Sequence, residues 1–237
     1  MVGARISNAL CASPLWSRLR ANSLRKEALS GSAATARSEF VAFGQKSRVL
    51  TAVLPTIRLG PLHAEAVTAG IGDLSFLHGV DAIIGLDVLS RSSFTIDYEE
   101  RRLAFGPVVE CEQSVRLEIT PPFLTVQLAL AGRPIRLLVD TGSSRLILFE
   151  RRMRDRLPPL HVYGQLVLYH FSGTSRLDRA LLPTLLAGGS TIEHVEGFIS
   201  DAPVDNYPSE IDGVLGIRVL ASKGAGFDFE RNRLDFR

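Results

Sequence analysis

The feature that most constrains how this 237-residue chain can fold is an internal repeat. Residues 80–105 align without a gap on residues 211–236, nine positions are identical, and both copies end in the pattern D-[YF]-E-x-x-R-L-x-F. Average composition gives roughly one or two identities by chance over such a length. The sequence therefore predicts two tandem copies of one structural unit.

A second, shorter match lies upstream of the first. Leu54-Pro55-Thr56-Ile57 recurs as Leu182-Pro183-Thr184-Leu185. Residues 107–122, which begin and end near proline, form the connection between the units, and we place the boundary near Cys111. The predicted domains are residues 1–112 and residues 113–237.

Short β-rich runs separated by turn residues dominate the chain. Residues 125–130 and 135–139 form one pair of predicted strands around the turn 131–134, and residues 94–98 and 102–105 form another. Helical patterns are weak and are confined to three segments, at residues 86–92, 149–157 and 217–223. Short strands with a turn every 8–12 residues or so predict an all-β sandwich or barrel.

Composition argues against several classes of function. A net charge of +2, with basic residues scattered among acidic ones, does not favour nucleic-acid binding. Cys11, Cys111 and the five histidines match no metal-ligand spacing, and no glycine-rich nucleotide motif occurs. We therefore expect no metal or cofactor, and no apolar run is long enough to span a membrane.

The first 37 residues are rich in arginine and contain one acidic residue, Glu27. Such a start is typical of a transit peptide, although it lacks the apolar core of a secretory signal. We prefer to interpret it as an interior part of the first unit. The sequence leaves the compartment open between the cytoplasm and export.

The second unit resembles the retropepsin-like aspartic proteases. In that family a strand ends in apolar residues followed by D-[TS]-G-[AS], and residues 138–143 are L-V-D-T-G-S. A glycine-containing flap hairpin comes next, followed by an apolar-apolar-Gly segment, which Val214-Leu215-Gly216 and Ile83-Ile84-Gly85 both match. The closing I-D-Y-E hairpin is common in bacterial members. The resemblance implies a retropepsin-like β-barrel fold, with two copies forming a pseudo-dimer.

The resemblance also implies roles for particular residues. Asp140 is the expected catalytic residue, and Thr141, Gly142 and Ser143 are expected to support its loop. Gly216 and Gly85 would pack tightly beside such loops, where a side chain would clash. For the flap that closes over a substrate strand, the best candidates are three consecutive residues: Ser172, Gly173 and Thr174.

Peptide hydrolysis in this class needs two aspartates that share one proton, because like charges held so close cannot both ionise. One acts as a general base on a water molecule while the other donates a proton to the carbonyl oxygen. This sequence contains one D-T-G, and its first aspartate is Asp73. Aligning Ser30-Gly31-Ser32 with the second flap puts Met1 roughly level with Leu146, after the position of the missing motif.

Three explanations are open for the missing aspartate. The chain begins at an internal methionine of a longer product, the first unit has lost its aspartate, or two chains pair through their second domains and bring two Asp140 residues together. We favour the first, because the resemblance stops at the chain end. Two further aspartates, Asp81 and Asp212, precede the apolar-apolar-Gly segments, and we expect surface or turn positions for them rather than a bracing role.

The leading functional hypothesis is an aspartic endopeptidase that acts on a peptide or protein substrate. The alternative is a non-catalytic peptide-binding or scaffold protein on the same fold, since a fold does not by itself confer activity. Substrate sequence and pH optimum are not readable from the sequence.

Overall fold

The computed structural model describes residues 36–42, 45–72, 82–120, 123–170 and 173–237. Within these ranges strands are the main secondary structure and helices are few and short, which confirms the all-β prediction. The strands are β1 (Ala36–Ala42), β2 (Gln45–Leu59), β3 (Leu62–Ile71), β4 (Phe94–Asp97), β5 (Arg102–Phe105), β6 (Gln113–Thr120), β7 (Phe123–Leu130), β8 (Arg133–Asp140), β9 (Leu146–Phe149), β10 (Val162–His170), β11 (Gly173–Leu181), β12 (Leu185–Ala187), β13 (Ser190–Ile192), β14 (Glu196–Ser200), β15 (Gly213–Gly216), β16 (Gly224–Asp228) and β17 (Arg233–Phe236).

Three short helical turns fall inside the three segments where helix was predicted. They are α1 (Leu86–Leu89), α2 (Glu150–Met153) and a 3-10 helix at Ile217–Val219. No helix in the described part of the chain is long and apolar enough to cross a membrane.

The strands form two sheets. β1, β2 and β3 make a small antiparallel sheet in that order. The large sheet runs β10-β11-β14-β9-β15-β8-β7-β6-β17-β16-β4-β5, with β12 pairing β7 and β13 at one side. Its main core contains Val126, Leu137, Leu146 and Leu215, each at most 1% exposed. Residues from both sequence units, among them Phe94 and Phe227, belong to that one core.

The strand that leads into Asp140 forms because its residues match a half-buried sheet position and a tight turn. Ala131 and Gly132 both have positive φ, 50° and 74°, the backbone twist that suits a two-residue hairpin. The turn is therefore shorter than the predicted 131–134, and β8 already begins at Arg133. Ile135 and residues 137–140 are buried, so β8 delivers its last residue into the interior.

The two hairpins that close the repeats have the same turn. The Asp97 Oδ1 atom accepts hydrogen bonds from the N–H groups of Glu99 and Glu100, at 3.1 and 2.9 Å. Asp228 Oδ1 accepts the equivalent pair, from residues 230 and 231, at 3.1 and 3.0 Å. The last turn residue of each has positive φ, 53° at Arg101 and 51° at Asn232. Repeated sequence thus corresponds to repeated local structure.

The two hairpins also pair with each other. Strands β4 and β16 are antiparallel, with Thr95 opposite Gly226, Ile96 opposite Ala225 and Phe94 opposite Phe227. Thr95 and Gly226 are equivalent positions of the repeat, so the pairing has local two-fold symmetry about them. Phe94 and Phe227 stack with ring centroids 4.7 Å apart, and such aromatic pairs stabilise a contact by about 1 kcal/mol beyond area burial.

A second pair of hairpins shares a register further upstream. Ala42 pairs with Gln45 between β1 and β2, and His170 pairs with Gly173 between β10 and β11. The two hairpins are 128 residues apart, the same spacing as between Leu54-Pro55-Thr56 and Leu182-Pro183-Thr184. The β1–β2 hairpin therefore has the same register and the same spacing to that motif as the hairpin of the predicted flap. Ser30-Gly31-Ser32 lies outside the described residues.

Candidate active site

Asp140 is the last residue of β8 and is only 4% exposed. It lies beside Gly216 in the parallel pairing of β8 with β15. The Gly142 N–H donates a 2.8 Å hydrogen bond to Asp140 Oδ1, which folds the D-T-G segment back over the carboxylate. The other oxygen, Oδ2, is buried and has no hydrogen-bond partner within the described structure.

This environment shifts the ionisation of Asp140. Burial raises the pKa of the Asp140 carboxyl well above its ordinary value, while the backbone N–H groups of Gly142 and Ser143 oppose that rise. No other carboxylate among the described residues contributes to the shift. Loss of solvation, rather than repulsion from a second aspartate, therefore makes this carboxyl hard to ionise.

The loop after Asp140 is held by hydrogen bonds on both sides. The Ser143 hydroxyl accepts the Arg145 N–H at 3.1 Å, and the Gly216 N–H donates to the Arg145 carbonyl at 2.7 Å. Thr141 is half-buried and Gly142 is buried. Asp140, Thr141, Gly142 and Ser143 are thus gathered into one turn against the end of β15.

Gly216 fits this position because no side chain could. A Cβ atom there would come within 2.4 Å of the Arg145 nitrogen and 2.6 Å of the Ser143 carbonyl oxygen, both backbone atoms. Gly85, its counterpart in the first unit, begins α1, and a Cβ atom there would approach only the mobile Asp87 side chain, at 2.6 Å from Oδ1. The predicted close packing therefore describes Gly216, while the described surroundings of Gly85 do not reproduce it.

Asp212 is a brace, which corrects the expectation of a surface or turn aspartate. It is 4% exposed, and its Oδ2 atom accepts the Arg136 N–H of β8 at 2.8 Å. Its own N–H donates to the Arg136 carbonyl at 2.8 Å, and the Arg156 guanidinium donates to Oδ1. These bonds fix the start of β15 against β8, on the strands that carry Gly216 and Asp140. Asp81 lies outside the described residues.

The flap candidates are only partly described. Gly173 and Thr174 are exposed at the start of β11, and Gly173 has a φ of 136°, which favours glycine. Ser172 lies outside the described residues. Three strands, β14, β9 and β15, separate the β10–β11 hairpin from β8 along the sheet. A role for Ser172, Gly173 and Thr174 over Asp140 stays a prediction.

Sequence reasoning missed a buried polar pair in the same hairpin. His170, 3% exposed, lies 3.0 Å from the Ser175 hydroxyl, measured from Nε2, and burial lowers the pKa of this histidine. The two residues lie on the face of the hairpin that also carries Leu166, Leu168 and Leu177. This face packs on a second core cluster, whose members include Phe149, Phe198 and Tyr207. Along β10, Leu166 and Leu168 on this face alternate with the apolar Val167 and Tyr169 on the other face. The sequence therefore carries no alternation of polar and apolar residues that could have identified the buried face.

The hairpin register also bears on the missing aspartate. Counting back 128 residues from Asp140 leads to Ala12, which lies outside the described residues. No aspartate precedes Asp73. All three explanations for the missing aspartate therefore stay predictions.

The described residues offer no alternative chemistry based on a metal. Within the ranges that the structure covers, no three His, Cys, Asp or Glu side chains are arranged to hold an ion. Cys111, the one cysteine in those ranges, is a free half-buried thiol. Among these residues, Asp140 is therefore the group whose burial and polar contacts most resemble those of a reactive site.

Comparison with known proteins adds a weak structural likeness. The chain is similar to the crystal structure of a retropepsin-like aspartic protease from Rickettsia conorii, with 17% sequence identity and a TM-score of 0.38. The match covers 54% of this chain and 98% of that one. No family model matches the sequence, and no curated protein matches it.

Proposed function

We propose that this protein is an aspartic-type endopeptidase in which the Asp140 carboxylate activates a water molecule for attack on a peptide bond. The observation that carries the proposal is the state of Asp140: a buried carboxyl at a strand end, with one oxygen held by a backbone N–H and the other unpartnered. A carboxyl of raised pKa suits a general base, because its conjugate acid forms close to working pH.

In this proposal the two sequence units form a pseudo-dimer. The pairing of β4 with β16 about Thr95 and Gly226 supports it, since that is the contact two identical subunits would make. The same pairing bears on the homodimer hypothesis. For two chains to join through β16 of their second domains, β4 would first have to leave that edge. We therefore propose that the catalytic form is one chain.

A non-catalytic peptide-binding protein is the second candidate, and one observation favours it. The given sequence contains a single D-T-G, and no aspartate precedes Asp73. A single aspartate cannot share its proton with a twin, so a cleft on this fold would bind an extended peptide without cutting it.

The experiment that separates the two functions compares the whole protein with its Asp140→Asn variant. Both are incubated with a library of unstructured peptides across the acid to neutral range, and products are identified by mass spectrometry. We expect the wild type to cleave and the variant to lose at least about a hundredfold in rate, as when a general base is removed. Equal cleavage by both proteins would refute the role of Asp140. Peptide binding by both without cleavage would establish the binding protein instead.

A further inference from the structure

Two buried side-chain oxygens close to the candidate site have no hydrogen-bond partner within the described structure. One is Asp140 Oδ2, and the other is the hydroxyl oxygen of Tyr98. Tyr98 as a whole is 8% exposed. A buried polar atom left without a partner costs about 1–3 kcal/mol, so such atoms in folded proteins are nearly always served by another group or by water. The pair therefore calls for a common explanation.

The backbone brings the two residues to the same end of β15. Asp140 lies opposite Gly216, and two residues later the Arg218 guanidinium lies over the Tyr98 ring, 4.7 Å from its centroid. The Tyr98 N–H is anchored by a 2.8 Å hydrogen bond to the carbonyl of Lys223, just beyond the 3-10 helix that Arg218 occupies. Tyr98, a residue of the first unit, thus contacts the segment that directly follows β15, the strand beside Asp140.

The electrostatics agree with this proximity. Burial raises the pKa of the Tyr98 hydroxyl, the Arg218 guanidinium lowers it, and the negative charge of Asp140 raises it again. Tyr98 consequently keeps its proton throughout the ordinary pH range and can act as a hydrogen-bond donor.

The repeat shows that this arrangement exists on one side only. The position equivalent to Tyr98 in the second unit is Phe229, and the position equivalent to Arg218 in the first unit is Asp87. The phenol of Tyr98 and the guanidinium of Arg218 therefore lie near Asp140. At the equivalent positions, Phe229 and Asp87, the repeat has a phenyl ring and a carboxylate instead. The hydroxyl is present only on the side that contains Asp140.

We propose that Tyr98 is a positioning residue for Asp140, its hydroxyl being the hydrogen-bond donor for Asp140 Oδ2 across one bridging water molecule. This inference rests on the proposed function. In a pair of aspartates, the protonated member donates to the ionised one and stabilises its charge. Tyr98 is always neutral and supplies that hydrogen bond from the first unit, where the second aspartate is missing.

The test is an NMR titration of the Asp140 carboxyl carbon in protein labelled with carbon-13 aspartate, with the signal assigned by its loss in Asp140→Asn. We expect Tyr98→Phe to raise the titration midpoint of Asp140 by about one pH unit, the equivalent of one hydrogen bond to the ionised form. Tyr207→Phe removes a buried phenol from the second core cluster and is the matched control, for which the midpoint stays unchanged.

A second substitution protects the test from misfolding of the phenylalanine variant. Difluorotyrosine at position 98 keeps the shape of the side chain and is a stronger donor, so it should lower the Asp140 midpoint. A midpoint that neither substitution moves would overturn the role of Tyr98. Because the titration requires no turnover, a shifted midpoint in a protein that cleaves nothing refutes the proposed function and leaves the Tyr98 inference standing.

Discussion

At their closing hairpins the two units are built alike, whereas beside the candidate site they differ in two respects. Asp97 and Asp228 make the same turn with the same backbone partners. In contrast, a methyl group at Gly216 would meet backbone atoms, whereas at Gly85 it would meet only the Asp87 side chain, and Tyr98 has a phenylalanine as its counterpart. The hairpins carry the contact between the units and are retained in both. The Tyr98 hydroxyl and the close packing at Gly216 occur in one unit only.

We expect the largest difference between the two units when the equivalent glycines, Gly216 and Gly85, are each replaced by alanine. Gly216→Ala should lower the free energy of unfolding by about 3 kcal/mol, because the new methyl group meets backbone atoms that cannot move aside. Gly85→Ala should cost about 0.5–1 kcal/mol, since only a rotatable Asp87 side chain stands in the way. Urea denaturation of both variants measures the difference. Similar costs would mean that the two segments pack alike after all.

The next largest effect concerns the buried carboxyl of Asp140 and the pH dependence of the free energy of unfolding. The folded-state pKa of Asp140 is raised above its unfolded value. Its favourable contribution is therefore complete below the unfolded pKa, about 3.9, and is lost as the pH rises through the folded pKa. Asp140→Asn should thus be more stable than wild type at neutral pH, by on the order of 1–3 kcal/mol.

Unfolding measured by urea from about pH 4 to pH 7 checks the sign of this prediction. The stability advantage of Asp140→Asn should shrink towards the acid end of the range, where the wild-type carboxyl is protonated in both states. A variant that is less stable than wild type at neutral pH would show that the ionised carboxylate is well solvated or paired.

The smallest effect tests the part of the comparison where the units agree. Asp97→Ala and Asp228→Ala each remove one acceptor of two backbone N–H groups, and each should cost about 0.5–1 kcal/mol. Asparagine at either position retains an oxygen acceptor and should restore most of the loss. Thermal unfolding of the four variants is sufficient, and a cost confined to one hairpin would contradict the equivalence of the two turns.

Local pattern was enough to predict much of the fold. The sequence predicted the β4 and β5 strands, their turn and the turn after Asp140, because each depends on neighbours within a few residues. The strand β8 and its hairpin partner β7 followed from the same rules, with the turn shorter than expected because Ala131 accepts a positive φ.

The features that sequence did not predict depend on contacts between distant residues. The sequence predicted a turn or surface position for Asp212, because its partners Arg136 and Arg156 are 76 and 56 positions away in sequence. The β1–β2 hairpin was not predicted, because its turn has no strong sequence signal and it is recognised only by the pairing of Ala42 with Gln45.

The pairing of β4 with β16 also covers a strand edge that could otherwise pair with another copy of the chain. A fragment cut before Gln113 would leave the N–H and C=O groups along one side of β16 bare, and exposed strand edges recruit other chains. The best match for that edge is a second β16, with Gly226 opposite Gly226 as Thr95 is now. Covalent attachment keeps β4 at an effective concentration on the order of millimolar, which outcompetes a free copy at ordinary protein levels. Linking the units in one chain therefore favours the pairing of β4 with β16 over the pairing of two β16 strands from separate fragments.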